Sequence, residues 1–184
     1  MRRQLTLVVD GLTAAVADVI GGGPGDNALV GTRDRDWIRA HAGDDKVRAR
    51  AGADFVAGGK GADALYLGKG QDSVIAGPGD DAVFAGRGAD RLYGTNATIH
   101  EGARLEDGDQ FQGGPGKDRI YLGGGADWVL AGPGRDFVSV TADGDRDVVN
   151  CGDGRRDIVS QYLRRDRHDR FRNCEVIYVY PGEI

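Results

Sequence analysis

Aspartate recurs at positions 36, 45, 54, 63, 72, 81 and 90, every step nine, and the same step returns at 109, 118, 127 and 136. Asp18 and Asn27 extend the series backwards in phase. Two residues after each stands an apolar side chain, from Leu29, Ile38 and Val47 through Leu65 and Val83 to Ile120 and Val138, and two residues before most of them stands Gly. Three coupled registers at one short period admit only stacked architectures. Each unit carries one sizeable apolar side chain and can bury it only against its neighbours.

Composition removes the competitors. The 25 Asp against 4 Glu, 20 Arg against 4 Lys and 32 Gly disfavour helices and suit a chain that turns every few residues. A net charge of -5 with 40% hydrophobic residues does not force disorder. The length, 184 residues, fits one domain or one short repeat array. No window approaches ~18 uninterrupted apolar residues, which excludes a membrane-spanning helix. Met1-Arg2-Arg3 ahead of Leu5, Leu7, Val8 and Val9 is similar to the start of an export signal. Asp10 and Asp18 interrupt the apolar run, so it is read as folded sequence.

Written from Gly58 the units read GGKGADALY, LGKGQDSVI, AGPGDDAVF and AGRGADRLY, and from Gly113 GGPGKDRIY, LGGGADWVL and AGPGRDFVS. In these units the chain resembles the RTX, or hemolysin-type, calcium-binding nonapeptide repeat. The resemblance covers 22–93 and 104–139, and more loosely 13–159. It implies an all-β fold, a right-handed parallel β-roll, in which two units make one 18-residue coil with a short strand on each side. The residues agree with that fold. Gly tolerates the positive φ of a tight loop ending in Asp, the next three residues are β-formers, and alternation points the middle one inward.

The expected organisation is an N-terminal cap over 1–21, a calcium-binding roll over 22–159 and a C-terminal cap over 160–184. LTAAVADVI, 12–20, is open to a short helix as well. Asp90 to Asp109 spans 19 residues, one more than a coil, so 94–103 is expected to be a degenerate half-coil with a one-residue bulge. Spacing loosens over 140–159.

Stacked at ~4.8 Å, residues 18 apart become neighbours. One expected column holds Asp36, Asp54, Asp72, Asp90, Asp109 and Asp127, and the other Asp45, Asp63, Asp81, Asp118 and Asp136. Carboxylates filed so closely repel one another, and no Lys or Arg occurs at the loop positions with comparable regularity to offset them. A hard divalent cation held by carboxylate and carbonyl oxygens meets the need, calcium better than magnesium. Turn capping by Asp alone is the competing reading.

The resemblance further implies several Ca2+ ions, each between two stacked loops, pairing Asp54 with Asp72, Asp63 with Asp81, Asp72 with Asp90, Asp109 with Asp127, and Asp118 with Asp136. Gly52, Gly59, Gly61, Gly68, Gly70, Gly114 and Gly116 are the loop glycines assigned to these sites. Departures from the motif cluster early. Asn27 replaces Asp, and GTRDRD at 31–36 lacks the glycines.

The only cysteines, Cys151 and Cys174, are read as a disulfide in preference to free thiols, which implies an oxidising location. No G-x-S-x-G, H-E-x-x-H or P-loop is present, and the nine-residue period explains the paired carboxylates without catalysis. The Arg-rich segment near the C-terminus is interleaved with Asp166 and Asp169 and reads as a solvated face rather than a nucleic-acid site. Outward Trp37, Phe55, Tyr66, Phe84, Tyr93 and Trp128 suggest a strip for a partner or self-association.

The leading expectation is therefore a secreted, extracellular, non-enzymatic module that folds as calcium enters. The alternatives are an adhesive cell-envelope protein stiffened by calcium and presenting its aromatics, and, behind it, a polysaccharide-acting parallel β-helix enzyme.

Overall fold

The computed structural model describes residues 2–4, 8–9, 12–13, 18–94, 107–163 and 166–181. Among these the chain winds alternately through a ten-stranded and an eight-stranded sheet. All pairings within the two sheets are parallel except the first of the ten-stranded one, where Arg2–Gln4 runs antiparallel to Asp18–Gly21. This is a parallel β-solenoid with 18-residue coils. Val56, Val74 and Leu92 lie side by side in one sheet, and Val47, Leu65 and Val83 in the other.

Strand alternation builds the interior. In Asp36–Ala42, the side chains of Asp36, Ile38 and Ala40 are buried while Trp37, Arg39 and His41 are exposed. A second inward position follows the first by two, within the longer strands such as Asp36–Ala42 and just past the three-residue ones such as Ser73–Ile75. Ala40, Ala49, Leu67, Ala76, Ala85, Ala131 and Val140 fill it. The core is thus deeper than one side chain per unit.

Three sequence expectations change. The pairing step rises from 18 to 28 residues after Asp90. Val83 lies beside Phe111 and Leu92 beside Ile120. Strands Arg91–Tyr93 and Gln110–Gln112 belong to opposite sheets, one half-coil apart, so ten residues beyond a coil are inserted there. The half-coil expected over 94–103 lies, Gly94 apart, outside the described residues. Second, 12–13 and 18–21 are strand rather than helix. Third, the coil pattern does not stop at 159. Ile158–Leu163, Arg170–Arg172 and Val176–Pro181 continue the two sheets in parallel register. The Cys151–Cys174 disulfide closes this last turn, with its Cα atoms 5.2 Å apart.

Candidate metal centre

Each repeat Asp stands two residues before an inward apolar residue, so the alternation that buries Ile38 or Val74 also turns Asp36 or Asp72 inward. The aspartates file into two columns, one at each turn between the sheets. Asp36, Asp54, Asp72, Asp90, Asp118, Asp136 and Asp157 form one. Asp45, Asp63, Asp81, Asp109, Asp127, Asp147 and Asp169 form the other. All are buried.

The expected columns are therefore corrected. Spacing placed Asp109 and Asp127 with Asp90, whereas the inserted residues put them with Asp81 and send Asp118 and Asp136 to the column of Asp90. The five carried-over pairs remain neighbours, because each lies wholly on one side of the insertion.

Within a column, every Asp backbone N–H donates to Oδ1 of the next, Asp54 to Asp72 at 2.8 Å and Asp118 to Asp136 at 2.9 Å, for example. The second oxygen, Oδ2, is buried without a hydrogen-bond partner at Asp45, Asp54, Asp63, Asp72, Asp81, Asp90, Asp118, Asp127, Asp136 and Asp157. Among the described residues no Lys, Arg or His pairs with a column carboxylate; the one salt bridge joins His168 to Asp166.

The electrostatic cost is large. Burial, reinforced by the neighbouring Asp charges and only partly relieved by the backbone N–H, pushes Asp54 and Asp63 up to about 6 and Asp72 to about 7. The same causes take Asp81 to about 8 and Asp127 to about 9. Asp90 and Asp157 rise for the same leading reason, burial. A repeated carboxylate that is buried, half-satisfied and crowded by its own kind calls for a cation.

Asn27, the one column position without a carboxylate in an otherwise complete loop, shows where a cation fits. Its Nδ2 donates to the Gly23 carbonyl at 3.1 Å, to the Gly25 carbonyl, and to Asp45 Oδ1 at 2.9 Å. A positively polarised NH2 thus sits among three oxygens, two from its own loop and one from the next. The corresponding carbonyl positions are Gly59 and Gly61, Gly68 and Gly70, and Gly114 and Gly116, while Arg50 and Gly52 hold them in one early loop. Among the described residues no three His, Cys, Asp or Glu side chains gather as a metal cluster, so carboxylates joined by main-chain carbonyls are the donor set these loops offer. That chemistry suits calcium.

Glycine is obligatory at the tightest of these positions. Gly70 has φ +148, and a Cβ on it would lie 1.5 Å from the Gly52 carbonyl oxygen.

Asp36 differs from the rest. Thr32 supplies its N–H to Oδ2 at 2.7 Å and its hydroxyl to both oxygens, so the glycine-poor first loop satisfies its own carboxylate. At the other end the columns gain members that the nine-residue count misses. Asp127 donates to Asp147, Asp147 to Asp169, Asp136 to Asp157, and Asp157 to Glu175 Oε2. The usable signal was an acid followed two residues later by an apolar residue, as in Asp169 and Phe171 or Glu175 and Ile177.

The outward aromatics do not make one strip. Trp37 packs on Phe55 and Tyr93 on Tyr121 on the ten-stranded sheet, while Tyr66 stacks on Phe84 on the eight-stranded one. Trp128 stands apart on the latter.

The sequence matches the RTX calcium-binding nonapeptide repeat in four copies, over residues 21–56, 43–74, 75–96 and 105–138. The chain belongs to the RTX calcium-binding repeat family. No curated protein matches it. The RTX copies break at 97–104, inside the insertion that exchanges the columns. They stop at 138, whereas the columns of the RTX roll run on to Asp169 and Glu175.

Proposed function

We propose that this chain is a secreted, non-catalytic module whose folding is coupled to Ca2+ binding between successive loops. One observation carries the reading: a repeated buried carboxylate with one oxygen unpartnered and a like charge on either side. Asp54 with Asp72, Asp63 with Asp81, Asp72 with Asp90, Asp81 with Asp109, Asp90 with Asp118, Asp109 with Asp127, and Asp118 with Asp136 would hold the ions, together with main-chain carbonyls of their loops. Divalent charge supplied there offsets the repulsion and the desolvation that oppose stacking, so binding free energy becomes folding free energy. The disulfide supports an oxidising, extracytoplasmic location.

Far-UV circular dichroism during a calcium titration tests the proposal. The expected result is weak strand signal in EGTA and a cooperative rise with calcium. Full strand signal in excess EGTA at neutral pH would falsify coupled folding.

A further inference from the structure

The two turn edges of the roll differ in charge, and one of them is basic. Turns leading from the eight-stranded to the ten-stranded sheet expose Arg33, Arg35, Lys69, Arg87, Lys117 and Arg135. Their counterparts on the other edge expose Asp26, Asp44 and Asp80 together with Lys60, Arg146 and Arg167, so that edge is mixed in charge. Asp34, Asp153 and Glu175 are the exposed acids of the basic edge among the described residues. The ten inserted residues extend the basic edge. With an unbroken 18-residue step, Lys117 and Arg135 would follow Asp44 and Asp80 on the other edge.

On the basic edge Arg33, Arg50, Lys69 and Arg87 line an open groove of about 870 Å³. Lys69 and Arg87 are register partners one strand apart. None of the four makes a salt bridge among the described residues. Arg50 is held at φ +85, where the next two coils place Gly68 and Gly86, so a side chain is retained at a position that favours glycine.

We infer that this edge binds a linear acidic polysaccharide laid along the coil stack. Cations spaced at ~4.8 Å, one or two strands apart, form a row that reads charge repeated at short intervals along an extended chain. A nucleobase platform is missing beside it. The exposed aromatics of the flanking strands are already engaged: Tyr66 stacks on Phe84 at 4.9 Å with the Arg48 guanidinium 5.8 Å from its ring, and Trp37 packs on Phe55 at 5.1 Å with the Arg39 guanidinium 5.8 Å from its ring. A polyanion without bases is what remains. The inference rests on the calcium-folded roll, whose carboxylates would otherwise weaken the field of the cations above them.

Calorimetry in calcium with hexagalacturonate as probe, after circular dichroism has established folding, decides it. Saturable, salt-sensitive binding is expected. The Lys69→Glu/Arg87→Glu variant should weaken it roughly tenfold or more, while Lys46→Glu on the eight-stranded sheet face should leave it unchanged. Arg50→Gly should raise the melting temperature yet weaken binding, a combination that a purely structural role for Arg50 does not produce. A folded protein that ignores the probe, or binds it equally after the double charge reversal, overturns this inference alone. Preference for poly(dT) or for phosphatidylglycerol vesicles over the glycan also overturns it. A chain that stays unfolded in calcium overturns both this and the calcium reading.

Discussion

The backbone N–H of Asp81 donates a 2.9 Å hydrogen bond to Oδ1 of Asp109, 28 residues further along the chain. Away from the insertion, in the middle of the roll, the same bond spans 18, as from Asp63 to Asp81. Its persistence across the insertion shows that the column, more than the sequence step, is the conserved physical unit of the fold. Three expectations follow from the column's geometry and charge.

Cutting residues 95–104 out of the chain shortens the 28-residue step to 18. Asp81 then still meets Asp109 and Asp90 still meets Asp118. The shortened protein should fold in calcium with the strand signal and calcium stoichiometry of the parent. Loss of folding, or fewer bound ions by calorimetry, would show that the inserted segment itself supports the roll.

Acid should favour the metal-free fold. The column carboxylates have raised folded-state values, from about 6 at Asp54 to about 9 at Asp127, against an ordinary 3.8. The folded state therefore binds more protons, and the stability linked to these groups is fully present below 3.8 and lost as pH climbs through 6 to 9. In EGTA, the strand signal should fall between pH 5 and pH 8. A signal that rises over that interval would contradict the buried, ionisation-averse geometry of the columns.

Asp127→Asn should act with opposite sign in the two states. With calcium it removes a charged ligand and should cost about 1–3 kcal/mol in thermal or urea unfolding. Without calcium at pH 8 it spares the fold the cost of protonating or burying a carboxylate crowded by Asp109 and Asp147, and its amide is placed to reach loop carbonyls as Asn27 does, so strand signal in EGTA should rise. Asp36→Asn, where Thr32 already satisfies the carboxylate, should change both much less. Equal effects at the two positions would sink the distinction drawn between them.

Much of the fold was legible in the chain because its determinants are local. A Gly-rich turn, an Asp and an apolar residue two positions later suffice to turn the chain, start a strand and point both side chains inward. Stacking at a fixed step then brings Asp54 over Asp72 and Val56 beside Val74 without further information. The disulfide between Cys151 and Cys174 was legible for a different reason, since no other cysteine exists to compete.

What spacing could not express is which sheet a strand joins after an interruption. Nineteen residues from Asp90 to Asp109 divide equally well into a full coil with one residue added or a half-coil with ten. Only the interstrand pairing of Phe111 with Val83 selects the second, and with it the edge on which Lys117 and Arg135 emerge. Tertiary contact likewise decided that Thr32 quiets Asp36, that Asn27 fills its own loop, and that Glu175 ends a column begun by aspartates. The amino-acid sequence by itself determined the coil and its acidic lining, because period and alternation act within nine residues. The order of neighbours, the extent of the basic edge and the acids that end the columns were set by packing, because they depend on where distant strands come to rest.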